Sequence, residues 1–230
     1  MDEKIECEII NMEIDFITNH HKKTKRNYLE RVNKINKADA AIKAKKWDFD
    51  YWDGSRDVNY GGYYYDGRWE PIAKKMIEHY KLNNNSKILD IGCGKGFLLY
   101  EFKKLLPSCE IKGLDISNYA IENAKEEVKE NLIHGNAKEL PFESNYFDYV
   151  FSLNTLHNLY NFELSPALKE MERVSKKDKY ICVESYRNEY EKVNLLYWQV
   201  TCECFYTPEE WKWWFKHSNY NGDYSFIYFE

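Results

Sequence analysis

Three glycines at alternate positions follow an acid at the end of a short apolar run, in the sequence Lys-Ile-Leu-Asp-Ile-Gly-Cys-Gly-Lys-Gly that begins at Lys87. This pattern predicts a buried strand that ends at Asp90 and turns sharply into a helix through Gly92, Gly94 and Gly96. Because glycine has no Cβ, the backbone of such a turn can approach a bound ligand closely. The chemistry predicted here is the binding of a nucleotide-like molecule at the turn.

The spacing of the acid and the glycines separates two kinds of nucleotide site. Dinucleotide-binding turns carry Gly-x-Gly-x-x-Gly, whose third glycine comes one residue later. The run from Asp90 to Gly96, which includes Cys93, instead resembles the first motif of the class I S-adenosylmethionine-dependent methyltransferases. The resemblance implies that the turn wraps the amino-acid end of S-adenosylmethionine, which leaves as S-adenosylhomocysteine after methyl transfer.

A second acid follows at the separation at which folds of this kind hold a ribose. The segment from Glu110 to Ser117 is interpreted as a strand that ends in Asp115. In the family this acid binds both ribose hydroxyls, and Ile116 would pack on the adenine. A plainer role stays open for each acid: Asp115 could cap a helix predicted from Asn118 to Val128, and Asp90 could cap the helix after the glycines.

Two later segments resemble further motifs of the same family. His134 to Phe142 is similar to the third motif, which implies that the Asn136 side chain and the Ala137 backbone amide meet the adenine. Tyr146 to Asn158 resembles the fourth strand and its loop, which would bring Asn154 to the methionine end. The four motifs occur in the family's order, and the resemblance covers roughly residues 87 to 178.

Strands that alternate with helices predict an α/β fold with a doubly wound, mainly parallel sheet of six or seven strands, a Rossmann-like methyltransferase fold. A seventh strand depends on whether Thr201 to Phe205 pairs. The length of 230 residues predicts one compact unit, in which residues 1–70 form a helical cap and aromatic lid and residues 71–230 form the S-adenosylmethionine-binding domain.

The N-terminal third predicts helices from Met12 to Asn33 and from Lys37 to Trp47. A basic cluster from His20 to Arg26 is interpreted as a solvated helix face, because phosphate binding usually needs a broader basic surface. The segment from Trp47 to Trp69 is rich in aromatic residues and glycines. It predicts a loop that closes as a lid over the cofactor and acceptor.

Methyl transfer demands alignment of the reacting groups and, for a hydroxyl or ammonium acceptor, removal of a proton. His157, after the fourth strand, is the first candidate base, and Glu184, at the end of the fifth strand, is the second. A structural histidine and a buried ion pair are the alternatives. Tyr64 could orient the acceptor or simply pack. Arg68 could bind the cofactor carboxylate through its planar fork, or form a surface ion pair.

Composition narrows the classes of partner. The chain has 33 basic and 38 acidic residues and a net charge of −5, which offers no general attraction to nucleic acid. No stretch approaches the ~20 apolar residues of a membrane helix, and the acidic start does not resemble a signal peptide, so we expect a cytoplasmic protein without membrane partners. The six cysteines are expected to be reduced. No metal site is expected, because Cys202 and Cys204 lack further ligands.

The sequence thus predicts a methyltransferase that uses S-adenosylmethionine and acts on O or N of a small polar acceptor, such as a metabolite, sugar or sugar nucleotide. The fourth-strand loop, Ser152 to Leu156, lacks the motifs of adenine and cytosine methyltransferases. Aromatic rings in the lid suit a sugar face or an amine. Two alternatives stay open: a non-catalytic binder of S-adenosylmethionine with a regulatory or scaffold role, and a nicotinamide-dependent oxidoreductase. Whether the chain forms a homodimer is also left open.

Overall fold

The computed structural model describes residues 11–22, 24 and 26–230. In this part of the chain six strands form one sheet in the order β3-β2-β1-β4-β5-β6, and every neighbouring pair is parallel. The strands are β1 (Lys87–Ile91), β2 (Glu110–Asp115), β3 (Leu132–His134), β4 (Phe147–Leu153), β5 (Ser175–Glu184) and β6 (Asp223–Ile227). The predicted doubly wound α/β fold is confirmed.

Helices precede, separate and cover the strands. Those before β1 are α1 (Thr18–His21), α2 (Tyr28–Lys34), α3 (Lys37–Ala44), α4 (Phe49–Trp52) and α5 (Glu70–Tyr80). Those after it are α6 (Phe97–Leu105), α7 (Asn118–Glu122), α8 (Glu126–Lys129), α9 (Asn161–Val174), α10 (Glu189–Trp198) and α11 (Pro208–His217). Thr207 begins α11 with the predicted capping box, in which its side chain and that of Glu210 bond each other's backbone N–H groups.

The sheet is buried on both faces, as parallel sheets usually are. Ile88 of β1 packs in one core cluster, with Met76 of α5 and Phe102 of α6. Leu89, the next residue along the strand, packs in a second cluster with Leu168 of α9. Because neighbouring side chains of a strand point to opposite faces, continuous apolar runs such as β1 are what this layered fold requires.

The strand order places a ligand crevice at one edge. The chain moves outward from β1 through β2 to β3 and then returns to β4 on the other side of β1. In open α/β sheets ligands bind outside the carboxyl ends of the strands at this reversal. Asp90, Asp115 and Glu184 stand at the carboxyl ends of β1, β2 and β5 respectively.

The predicted helix from Met12 to Asn33 is wrong. Residues 12–14 instead run beside β6, where the backbone N–H of Tyr224 donates to the Met12 carbonyl (3.0 Å) and the Ile14 N–H donates to the Tyr224 carbonyl (2.8 Å). Phe16 then packs in the core cluster of Ile88. The open edge of β6 offers backbone bonds that helical periodicity cannot foresee, and only the short helices α1 and α2 remain.

Two smaller predictions are also corrected, and the open question of a seventh strand is decided. The helix predicted from Asn118 to Val128 is divided into α7 and α8, because the Lys125 N–H bonds the Lys95 carbonyl (3.0 Å) beside the glycine turn. The predicted loop from Trp47 to Trp69 contains the helical turn α4. Residues 201–205 add no strand to the sheet, since the N–H groups of Glu203 and Cys204 donate to the His157 carbonyl (both 2.9 Å) and direct the segment across the carboxyl edge.

Within the described ranges, none of the helices is long and apolar enough to cross a bilayer.

Candidate active site

A cavity of about 670 Å³ lies at the carboxyl edge of the sheet, within the size range of small-molecule sites. The ends of β1, β2, β4 and β5 form its floor, and aromatic residues from the segment before α5 form its roof. All but one of the residues predicted for the site line this cavity. They are Tyr64, Arg68, Asp90, Gly92, Cys93, Gly94, Asp115, Ile116, Asn136, Ala137, Asn154, His157 and Glu184.

The exception is Gly96, which does not line the cavity. It begins α6 in the left-handed region at φ 72°, and a Cβ there would lie 2.9 Å from Val128 Cγ2 and 3.1 Å from Leu132 Cδ1. The glycine is therefore needed for close packing against α8 and β3, and we place it outside the ligand-contacting set.

Gly92 and Gly94 allow two side chains to close on the turn. Both have positive φ. A Cβ on Gly92 would fall 2.0 Å from Thr155 Oγ1, and one on Gly94 would fall 2.7 Å from the Trp52 ring. The absence of Cβ atoms thus brings the loop after β4 and the lid onto the glycine turn. In that loop Asn154 adopts φ 56°, and its N–H donates to the Cys182 carbonyl (2.9 Å).

Asp115 connects the glycine turn to the end of β2. One carboxylate oxygen accepts from the Gly94 N–H (2.7 Å) and the other from the Ser117 N–H (2.8 Å). Burial raises the pKa of this carboxyl group, while the backbone donors oppose the rise. The side chain that caps α7 is that of Ser117, so Asp115 is not the helix cap. Each carboxylate oxygen can accept a further bond, so the group can receive a diol from the cavity.

Asp90 is a buried carboxylate, 5% exposed, on the cavity wall. Burial and the nearby charge of Asp115 raise its pKa well above the ordinary value. No described residue donates a hydrogen bond to its side chain, and α6 is capped at Gly96, so Asp90 caps no helix. A buried acid without a protein donor is suited to a cationic or hydrogen-bond-donating ligand group.

Next to Asp115 the cavity wall has an exposed apolar side chain, Ile116, with the polar groups of Asn136 and Ala137 also on the wall. Ile116 is 44% exposed on the cavity wall. Among the described residues the Ala137 N–H has no acceptor, and the Asn136 side-chain oxygen accepts only from the Lys138 N–H (3.0 Å). An aromatic base can therefore find both a flat contact and hydrogen-bonding groups here.

His157 and Glu184 meet at the opposite side of the cavity. His157 lies in a single 3₁₀ turn, Leu156–Asn158, after β4. Its Nε2 is 3.4 Å from Glu184 Oε2, and the Glu184 backbone N–H donates to its Nδ1 (3.4 Å). This network assigns the imidazole proton to Nε2, on the side of the carboxyl group.

Burial acts on this pair in opposite directions. It lowers the pKa of His157 to about 3 and raises the pKa of Glu184 to about 8, the latter opposed by the Gln199 side chain and the charge of Arg26. Both groups are therefore neutral near pH 7, and the short distance is no ion pair. Gln199 binds Glu184 Oε1, whereas no described group forms a well-directed hydrogen bond with Oε2. Of the two side chains, Glu184 has the stronger affinity for a proton and an oxygen, Oε2, without a well-directed partner among the described residues.

Tyr64 is the tyrosine of the lid that stays accessible, with 68% of its surface exposed. Tyr63 stacks on Phe97 with ring centroids 4.9 Å apart, and the Tyr65 hydroxyl donates to Glu101 (2.6 Å). Packing thus accounts for its two neighbours, whereas Tyr64 is free to meet a ligand.

Arg68 lines the cavity but is already bound by an acid. Its Nε lies 2.7 Å from each oxygen of Asp66, and its Nη2 also contacts that carboxylate. The ion-pair alternative is the arrangement observed. The N–H groups of Nη1 and the second N–H of Nη2 remain for a further acceptor.

Several cavity residues were not predicted from the sequence. Trp52 lies on the glycine turn, donates to Ser117 Oγ (2.9 Å) and stacks on Tyr60. Trp198 and Gln199 reach the cavity from the end of α10. The density of aromatic residues signals the lid as a whole, but no motif signals these positions.

The interpretation of the basic cluster as a solvated helix face is wrong for four of its members. α1 ends at His21, and His20, His21, Thr24 and Arg26 line the cavity. Lys23 and Lys25 lie outside the described residues.

The described residues contain no group of three His, Cys, Asp or Glu side chains placed to hold a metal ion. Five cysteines are free and buried, namely Cys93, Cys109, Cys182, Cys202 and Cys204, and Cys7 lies outside the described residues. Burial raises the pKa of the Cys93 thiol well above its ordinary value, which keeps it protonated beside the turn.

A parallel sheet in this order, with a glycine turn after β1 and acids at the ends of β1 and β2, defines the class I S-adenosylmethionine-dependent methyltransferase fold. The family described as "Methyltransferase domain" matches residues 82–219, more than half of the chain. The chain belongs to that family.

Individual relatives agree with this assignment. The chain is similar to the demethylmenaquinone methyltransferase of Staphylococcus aureus, with 39% identity over 108 residues, which cover 45% of this chain and 44% of that enzyme. The match thus spans less than half the length of the curated relative. The solved YcgJ protein from Bacillus subtilis has a TM-score of 0.52 and 24% identity, over 64% of this chain and 66% of its own.

The fold is also similar to that of the solved cyclase SpnF, with a TM-score of 0.52 and 17% identity over 70% of this chain and 61% of that one. These structural likenesses describe the fold alone. Because one fold hosts several reactions, the reaction has to be argued from the residues of the cavity.

Proposed function

We propose that this protein transfers a methyl group from S-adenosylmethionine to O or N of a small polar acceptor. The observation that carries the proposal is the single cavity that has Asp115 at one side and Glu184 at the other. The two acids stand on strands separated by β1 and β4, about 14 Å apart if each strand spacing is ~4.8 Å. A site of this extent can hold the donor, with its ribose at Asp115, and the acceptor next to it at Glu184.

The residues of the Asp115 side fit the donor. The Asp115 carboxylate would bind the ribose hydroxyls, and Ile116 with Asn136 and Ala137 would hold the adenine. The glycine turn and Asp90 would hold the methionine end, where a donor ammonium group gives that buried acid a partner. The loop residue Asn154 is proposed to contribute at the same end.

When bound, S-adenosylmethionine supplies an electrophilic methyl group on a positively charged sulfur. The protein then has to align the acceptor with it, exclude water and remove the acceptor proton. Glu184 Oε2 would take that proton, with His157 and Gln199 holding the carboxyl group in place. Trp52 and Tyr60 would cover the glycine turn from above.

A small-molecule acceptor agrees with three observations. The chain carries a net charge of −5, which does not favour nucleic acid. The cavity is enclosed by a lid rich in aromatic residues, as a binding site for a small ligand requires. The enzyme from Staphylococcus aureus is named for a small-molecule acceptor. We propose acceptors among metabolites, sugars or sugar nucleotides.

The test is untargeted mass spectrometry of small polar metabolites incubated with the protein and methyl-labelled S-adenosylmethionine. We expect one or more labelled products with matching release of S-adenosylhomocysteine, and loss of the label with Glu184→Gln. Calorimetry of S-adenosylhomocysteine and NAD runs in parallel. Binding of the former without any labelled product would favour a regulatory or scaffold protein, and binding of NAD alone would favour an oxidoreductase.

A further inference from the structure

The six arginines of the chain divide into two groups by their partners. Three form ion pairs with carboxylates: Arg68 with Asp66, Arg173 with Glu170 and Arg187 with Glu191. The other three are Arg26, Arg31 and Arg56, and among the described residues none has a carboxylate within ion-pair distance. Arg26 directly precedes the N-cap of α2 and Arg31 lies within that helix, whereas Arg56 belongs to the lid segment after α4.

These three side chains converge on one ring. The guanidinium carbons of Arg26, Arg31 and Arg56 lie 5.1, 4.6 and 5.4 Å from the centroid of Trp198. Cation–π attraction stabilises each of them in part. We call Arg26, Arg31, Arg56 and Trp198 the arginine–tryptophan cluster. Arg26, Arg56 and Trp198 line the cavity.

The members of the cluster have different tasks. Arg31 donates to the backbone carbonyls of Arg56 (3.1 Å) and Val58 (3.4 Å), so it holds the lid segment that carries Arg56. Arg26 donates to the Thr24 carbonyl (3.0 Å), and its Nε is buried without a partner among the described residues. Arg56 donates to the Asn59 carbonyl (2.9 Å). Carbonyl acceptors satisfy some donors of these guanidinium groups but neutralise none of their charge.

The electrostatics favour an anion at this place. Burial lowers the pKa of all three guanidinium groups, and repulsion between Arg26 and Arg56 and between Arg31 and Arg56 acts in the same direction. Glu184 is near Arg26, but its raised pKa of about 8 keeps it neutral near pH 7, so it does not offset the charge of Arg26 there. Like charges held together at a cavity wall favour the binding of an anion. A bound carboxylate or phosphate would reduce the repulsion between the guanidinium groups and accept hydrogen bonds from their N–H groups.

We infer that the methyl acceptor carries an anionic oxygen group, a carboxylate or a phosphate, which Arg26 and Arg56 bind beside the face of Trp198. The inference rests on the proposed function and narrows its acceptor class to acids and phosphate esters. An acceptor bound at this place presents a hydroxyl or amine to Glu184, which ends β5 and lines the same cavity. Arg31 acts as a positioning residue for Arg56.

A binding experiment tests the anion site without any knowledge of the acceptor. The thermal unfolding of the protein saturated with S-adenosylhomocysteine is measured with and without inorganic phosphate. We expect phosphate to raise the midpoint of the wild type and of the matched control Arg187→Gln, but not that of Arg26→Gln/Arg56→Gln. Equal shifts in all three proteins, or no shift in the wild type, would overturn the inference.

An activity experiment tests the acceptor class. A polar metabolite extract is divided by anion exchange, and each fraction is incubated with methyl-labelled S-adenosylmethionine and the protein. We expect label only in the retained fraction, reduced at least tenfold by the double substitution and not by Arg187→Gln. Label in the unretained fraction would overturn the inference. No label in any fraction would contradict the proposed function, and the phosphate titration would then decide the anion site by itself.

The cofactor's own carboxylate is the competing occupant of the cluster. S-adenosylhomocysteine carries that carboxylate, and 5′-methylthioadenosine lacks it. We expect the double substitution to leave the affinity for both molecules unchanged. A variant that loses tenfold or more in affinity for S-adenosylhomocysteine, with 5′-methylthioadenosine unaffected, would assign the cluster to the donor and overturn the inference.

Discussion

Glu184 is a carboxyl group whose surroundings suit the role of a base near neutral pH. Its burial raises the pKa to about 8, so it stays protonated until the pH approaches that value. A base with a pKa near the working pH combines adequate ionisation with strong proton affinity. His157 is shifted the opposite way, to a pKa of about 3, and it would be a weak base at any pH at which the protein is expected to work.

The pH dependence of the reaction distinguishes the two groups. If Glu184 is the base, kcat/KM rises about tenfold per pH unit toward an apparent pKa of about 8 and levels off above it, because only the ionised carboxylate accepts a proton. His157→Gln should keep a rise of this kind with a displaced midpoint, and Glu184→Gln should lose it. Steady-state kinetics from about pH 5.5 to 9.5 measure this. A flat profile in the wild type would contradict the assignment.

At the scale of elements, one lysine joins the glycine turn to the lid. Lys95 is 5% exposed, and its Nζ donates to both oxygens of Asp53 (2.8 and 2.7 Å) and to the Tyr63 carbonyl (2.9 Å). Asp53 in turn accepts from the Tyr119 hydroxyl (2.8 Å) at the start of α7. The lid is therefore fastened to the same turn that is proposed to hold the donor.

Removal of this fastening should loosen the lid and weaken donor binding together. With Lys95→Met we expect several-fold weaker binding of S-adenosylhomocysteine and faster limited proteolysis between residues 53 and 67, since Asp53 and Tyr63 lose a buried charged donor. Calorimetry and timed digestion measure the two effects. Lys176→Met, which removes a surface ion pair with Asp148, is the control. Unchanged affinity and digestion in the Lys95 variant would disprove the coupling.

The elements that were predicted correctly are those specified locally. β1 is a short apolar run that contains Asp90 near its end, and β2 ends in an acid after the buried residues Gly113 and Leu114. Burial on both faces of a parallel sheet favours such segments. Residues 12–14 follow no such local rule, because the edge of β6, more than two hundred positions away, decides their pairing. Residues 201–205 read as extended, yet the His157 carbonyl takes the N–H groups that a sheet would need. Propensity cannot foresee either partner.

For the molecule as a whole, the two sides of the cavity differ in how far the sequence predicts them. The side proposed for the donor is formed by the turns that directly follow β1, β2 and β3. Residues of each sequence motif are therefore also residues that line the cavity there. The side proposed for the acceptor is lined by Arg26, Arg56, Glu184 and Trp198, which come from separate segments and meet only in the folded chain. This contrast explains why a sequence can indicate the donor and leave the acceptor open.

The central claim is that S-adenosylmethionine binds across the carboxyl edge of the sheet with its ribose on Asp115. Calorimetry of S-adenosylhomocysteine with the wild type, Asp115→Asn and the exposed control Asp39→Asn tests it most directly. We expect binding to the wild type and the control, and a loss of about 1–3 kcal/mol with Asp115→Asn, roughly five- to 150-fold in Kd. An Asp115→Asn protein that unfolds at the wild-type temperature and binds with wild-type affinity would contradict it.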